Sequence, residues 1–174
     1  MVAQSSALST GGALAQRAHL TETKLGEPDA AAKLYEAAPK ELKVALEAYV
    51  AGINEFIAGM QYLLAPEAVI TMEFPHLPRL IEKNQFDTIY QEHYSYISLF
   101  TAIKMFEAHD LIIFDADEIS THGGSLRIYA RHLNNDRLPV RSSIERLLDQ
   151  ELQAGINRIE TYLTFSEQVE KTKR

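Results

Sequence analysis

Cysteine is absent from the 174 residues, which removes a disulfide framework and any thiolate zinc site and fits a reducing compartment. Basic residues are in deficit: 17 Lys and Arg stand against 24 Asp and Glu, giving a net charge of −7. A protein that grips phosphate backbones needs a basic patch, so nucleic acid is excluded as a general partner. Nowhere does an apolar run approach the roughly 18 residues a membrane-spanning helix requires. Met1–Leu20 also lacks the basic start and apolar core of a secretory leader. A cytoplasmic protein with no membrane partner is the default expectation. His76, His93, His109 and His122 with Glu92 show no i,i+4 pair of the kind that holds zinc on a helix, so no metal site is expected.

What the chain does contain is 46% apolar residues, enough at this length for one domain with a real core. They are unevenly placed. Residues 1–39 are rich in Ala, Ser, Thr and Gly, broken at Gly11-Gly12 and Glu27-Pro28-Asp29, and read as weak helix or disorder. From Leu42 to Leu64 the residues Leu42, Ala45, Leu46, Tyr49, Ile53, Phe56, Ile57, Met60 and Leu64 recur every three or four positions, which predicts a long amphipathic helix over about 40–64. Fifteen alanines lie in residues 1–65 and six in the remaining 109, so a boundary is expected at Leu64–Pro66, with a helical segment 1–64 ahead of a domain 65–174.

Within that domain, 68–74 is a β-branched apolar run stopped by Pro75, which reads as a buried strand. Leu77–Lys83 reads as one or two helical turns and 84–94 as loop. Ser98 is placed to cap a helix whose Leu99, Ile103 and Phe106 face inward, ending near His109-Asp110. Two strands, 111–115 and 125–131, flank a loop with His122-Gly123-Gly124. The last forty residues continue a helical stripe, with Ser142 and Glu145 as a capping box and Gly155 as a divider.

Chemistry concentrates in 86–99, Phe-Asp-Thr-Ile-Tyr-Gln-Glu-His-Tyr-Ser-Tyr-Ile-Ser-Leu, where four aromatic rings surround Glu92-His93. An imidazole with its ordinary pKa of about 6.5 serves as a base at neutral pH, and a neighbouring carboxylate orients it or binds a hydroxyl. The plainer reading is a polar loop whose rings fill core. In His122-Gly123-Gly124 the glycines permit positive φ or close approach to a ligand. A strand connection needing left-handed residues explains them too. Arg127 and Arg131 alternate along one face and could meet a diphosphate, though alternation on a solvent face accounts for them equally. His76 follows a strand end, where open α/β sheets bind ligands; a satisfied loop histidine is its plainer reading.

With Glu-Phe-Pro-His at 73–76 and Thr-His-Gly-Gly-Ser-Leu-Arg at 121–127, this segment resembles the C-terminal half of the sugar C-methyltransferases. The likeness runs from about Leu63 to Arg174. It implies an S-adenosylmethionine-dependent enzyme that methylates a ring carbon of a nucleotide-linked deoxy-keto-sugar. The fold implied is α/β: a partial Rossmann-like methyltransferase half, with a three-stranded sheet and helices, preceded by the Ala-rich helical segment. By resemblance His93 is the general base, Glu92 its support or a sugar-hydroxyl ligand, and Tyr90 a donor near the keto oxygen. His122, Gly123, Gly124, Arg127 and His76 are the substrate-binding candidates. The chain departs from the pattern at Gln91, usually His, and at Asp110, usually Gly. The family's zinc-binding Cys segment and Gly-rich cofactor loop have no counterpart in residues 1–64, so the S-adenosylmethionine site is expected to be absent from this chain. Three outcomes remain open. The chain is the sugar-binding part of a methyltransferase completed by a partner chain carrying the cofactor domain, or a non-catalytic nucleotide-sugar-binding or interaction module, or a truncated or fused product without activity. An open sheet edge further predicts a homodimer. Separately, residues 46–58 are similar to a helix of the penicillin-acylase group of hydrolases, without the nucleophile motif of that group.

Overall fold

The computed structural model describes residues 38–89 and 95–173, with Glu36. The expectations for 1–35 and for Tyr90, Glu92 and His93 lie outside the described residues.

The long helix forms as α1, Lys40–Leu63, but its stripe is buried only in its second half. Ile57 is 1% exposed, and Ile53, Met60 and Leu64 pack beside it against the core. Leu42, Val44, Leu46, Tyr49 and Val50 of the first half stand in solvent. Polar contacts fix the helix where it docks. Nε2 of His109 lies 2.8 Å from Asn54 Oδ1, and Nε2 of His132 donates to the Leu64 carbonyl at 2.8 Å.

Beyond Pro66 follow β1 (Ile70–Pro75), α2 (Leu77–Glu82), α3 (Leu99–Glu107), β2 (Leu111–Ile119), β3 (Ser125–His132), α4 (Ser142–Gln153) and α5 (Ile159–Thr172). The α/β fold expected from the sequence is the one observed. Strand order is β1-β3-β2, and β3 is antiparallel to both neighbours, so β1 and β2 run in the same direction on either side of it. Period-two alternation places Met72 and Phe74, Ile113 and Ala116, and Leu126, Ile128 and Ala130 in one core with Ile57 of α1, Leu99, Ala102, Ile103 and Phe106 of α3, and Ile144, Leu147 and Leu148 of α4. An irregularity between Ile113 and Asp115 keeps Ala116 on the core side.

Local expectations fare unevenly. Ser98 caps α3 as read, its Oγ accepting from the Thr101 amide. Asp110, with φ of 53°, adopts the left-handed conformation that closes the helix, and Gly155, at φ 74°, separates α4 from α5. The capping box at Ser142 does not form. Arg141 is the N-cap without a side-chain bond, which places Ser142 inside the helix, and it is Ser143 Oγ that donates, to Asp115 Oδ1 at 2.6 Å. Arg131 is not a solvent-facing partner of Arg127. It is 3% exposed, and its guanidinium donates to the carbonyls of Leu138, His132 and Leu133 at 2.6, 2.9 and 3.3 Å, pinning the connection after β3.

Candidate functional site

Register defines the site. Pro75 and Ile119 both face Ser125 across the sheet, so the carboxyl ends of β1 and β2 flank the start of β3. The residues just beyond this row are His76, Ser120 and the turn Thr121–Gly123 with Gly124. In doubly wound parallel sheets ligands bind beyond the carboxyl ends of the strands; here β1 and β2 end at this row and the antiparallel β3 begins at it. Ile97 lies at the same end, because Leu77 N donates to its carbonyl at 3.3 Å and His76 forms a parallel bridge with it.

His76 is the most constrained of the candidates. It is 3% exposed, and its backbone N–H donates to Gly124 O at 3.1 Å. Nε2 lies 2.9 Å from Glu151 Oε1; a carboxylate only accepts, so this nitrogen carries the hydrogen. Nδ1 is buried and has no hydrogen-bond partner, the nearest carboxylate oxygen, Glu118 Oε1, being 3.5 Å away and beyond hydrogen-bond range. The histidine lines a cleft of about 360 Å³ with Arg79, Glu118, Gln150 and Glu151.

Glu151 was not anticipated. It occupies the next position of the Ile144, Leu147, Leu148 stripe, and a charge on a core-facing stripe was the signal for it. At 2% exposure its carboxylate accepts the amides of Leu99 and Phe100, at 2.7 and 2.8 Å, besides His76. The positive end of α3 and an imidazole N–H thus compensate a buried charge. Arg79, also unforeseen, joins Glu118 at 2.8 Å and Glu82 at 2.6 Å. Bonds to these carboxylates raise the guanidinium pKa, and the Arg79 bond lowers that of Glu82.

His122 is exposed at φ 50°, with Gly123 and Gly124 at 86° and 132°. Both glycines lie in conformations that L side chains rarely adopt. A Cβ on Gly123 would collide with the Gln85 amide, and one on Gly124 would meet Arg79 Cβ at 3.0 Å. The glycines are therefore required by the turn and its packing. Lys83 Nζ closes on the Gly123 carbonyl at 2.7 Å. Arg127 lies further along β3, its Nη2 donating to Glu73 Oε2 at 2.8 Å. That bond holds the Glu73 carboxyl below its ordinary range and raises Arg127. The structure thus brings His76, His122, Gly123 and Gly124 together, leaves Arg127 ion-paired beside them, and leaves Tyr90, Glu92 and His93 outside its described residues.

Among the described residues no group of His, Asp and Glu is arranged to hold a metal, and no helix is long and apolar enough to cross a membrane. In comparisons with known proteins, residues 120–174 match the family model described as "C-methyltransferase C-terminal domain". The chain is also similar to the C-methyltransferase NovU of Streptomyces niveus, 36% identical over 126 residues that make up 72% of this chain and 30% of that protein. The match thus spans less than a third of the relative's length.

Proposed function

The chain carries a C-methyltransferase C-terminal domain, and from that premise we propose that it is the sugar-binding part of an S-adenosylmethionine-dependent enzyme acting on a nucleotide-linked deoxy-keto-sugar. The observation that carries this reading is the meeting of His76 and the His122–Gly124 turn at the carboxyl ends of β1 and β2, with Ile97 bridged to His76 at the same edge. His93 acts there as the general base. It takes the carbon-bound proton beside the ketone, and the electron pair moves onto the keto oxygen as an enolate, to which Tyr90 donates. Glu92 orients the base or holds a sugar hydroxyl.

Methyl transfer to the enolate carbon needs S-adenosylmethionine, and the described residues do not fit it. Its grip calls for a glycine loop open to backbone approach at a helix N-terminus, whereas the space at Gly123 and Gly124 is filled by Gln85 and Arg79. A cofactor domain outside the described residues, in the same or a partner chain, completes this reading.

Titration with a thymidine-diphosphate-linked keto-sugar, followed on assigned NMR resonances, tests the proposal. Saturable shifts confined to Glu92-His93 and His122–Gly124 are expected. A well-dispersed spectrum unmoved at millimolar sugar would overturn it.

A further inference from the structure

We propose that an open cleft at the opposite end of the sheet from His76 binds an uncharged polyol, with Asn135, Gln61 and Asp110 as the residues that hold it. The inference stands apart from the reading above. β3 runs from Ser125, at the row of the first site, to His132, and seven steps along a strand put its two ends roughly 23 Å apart.

The cleft, of about 510 Å³, opens where α1 meets the domain, and its wall includes Gln61, Pro66, Asp110, His132, Asn134 and Asn135. Gln61 lies on α1, ahead of the residues 120–174 that match the C-methyltransferase domain. Asn135 is the buried member, at 7% exposure. Its Oδ1 accepts from the Arg137 amide at 3.3 Å, which fixes how the side-chain amide is turned, and its Nδ2 is left buried with no hydrogen-bond partner. Such a donor costs stability unless something brings it an acceptor. The backbone around it is held in place. Leu133 N donates to Asp110 O at 2.8 Å and Asn135 N to His132 O at 3.0 Å, while the buried Arg131 guanidinium binds the carbonyls of His132 and Leu133. His132 Nε2 donates to Leu64 O, so Nδ1 is the acceptor of that ring. Asp110 carries a second mark. At φ 53° it adopts a conformation that glycine takes without strain and aspartate takes at a cost, and it sets a carboxylate on the wall.

The lining decides the class of ligand. Among the described residues no Lys or Arg lines the cleft, and Asp110 makes it negative, which disfavours phosphates, nucleotides and carboxylates. No Phe, Tyr or Trp stands there to stack a nucleobase. Gln61, Asn134 and Asn135 supply amide donors, and Asp110, the amide oxygens and His132 supply acceptors. A hydroxyl gives and takes a hydrogen bond at once, so a ring bearing several of them, with C–H faces for Pro66 and Leu133, matches both sets.

The test titrates the full chain with D-glucose and with myo-inositol, followed on the assigned side-chain NH2 resonances of Gln61 and Asn135, with glucose 1-phosphate as the charged counterpart. Saturable millimolar shifts are expected for at least one polyol, with the Gly123 and Gly124 amides unmoved and glucose 1-phosphate about tenfold weaker. Asp110→Gly suits the same backbone conformation and removes the carboxylate; it should fold as wild type does and bind about tenfold more weakly. Gln61→Ala, at a half-buried position of α1, should weaken binding similarly. The proposal is overturned by Asn135 resonances unmoved at tens of millimolar polyol, by glucose 1-phosphate binding as tightly as the neutral probes, or by wild-type affinity in either variant. The outcome of the keto-sugar titration does not enter, because it is read at the other end of the sheet.

Discussion

Glu73 and Arg127 face each other across β1 and β3, both partly open to water. The Arg127 bond lowers the Glu73 pKa, so the pair's contribution is present above the ordinary glutamate value of about 4.3 and is lost as pH falls through the lower folded-state value. Glu73→Gln should therefore be less stable than wild type near neutrality, and the gap should close on acidification below about pH 4. Urea midpoints for both proteins across that range check it; a gap that persists at the acid end would mean that the ion pair is not its source. Exposure keeps the effect small.

At the scale of elements, α1 divides into a docked half and a free-standing half, and within the docked half two neighbouring residues face opposite ways. Ile57 is 1% exposed and Phe56 59%. Ile57→Ala should cost about 2–5 kcal/mol, as a buried truncation does, and Phe56→Ala should stay within about 0.5 kcal/mol. Chemical denaturation of the two variants tests the docking directly; similar losses would place Phe56 in the core instead. Periodicity alone did not reveal this division, because a helical stripe records which residues share a face but not how far along the helix a neighbour extends. Strands were legible where burial is two-sided, as in Leu111–Phe114, and less so where β2 runs on through Asp117 and Glu118, which pair with β3 in a polar stretch that reads as loop. The chain entry to α4 was misread because Ser142 and Glu145 satisfy a local pattern that the tertiary bond of Ser143 to Asp115 overrides. Glu151 was marked only by its charge on the α4 stripe and by no motif, since its three partners are His76, just beyond β1, and the first turn of α3, 75 and about fifty residues away.

For the whole molecule, the candidate site is a place where four segments far apart in sequence are joined by polar bonds. His76, the 121–124 turn, the 95–100 stretch and Glu151 are each held by another of the four. The sheet they border has a further property, concerning the order in which it can assemble. β3, the last strand made, is the central one, and β1 and β2 have no strand pairing with each other. During synthesis neither early strand can find its neighbour until residues 125–132 have emerged, so the sheet closes late and all at once, through non-local pairing of the slow kind. A chain ended at Ser120 should show helix but no sheet in far-ultraviolet circular dichroism and no near-ultraviolet signal of fixed packing. Native-like strand content in that fragment would contradict the assembly order. Until the central strand arrives, the apolar faces of Ile70–Phe74 and Leu111–Ala116 are the segments a nascent chain must keep from other partners.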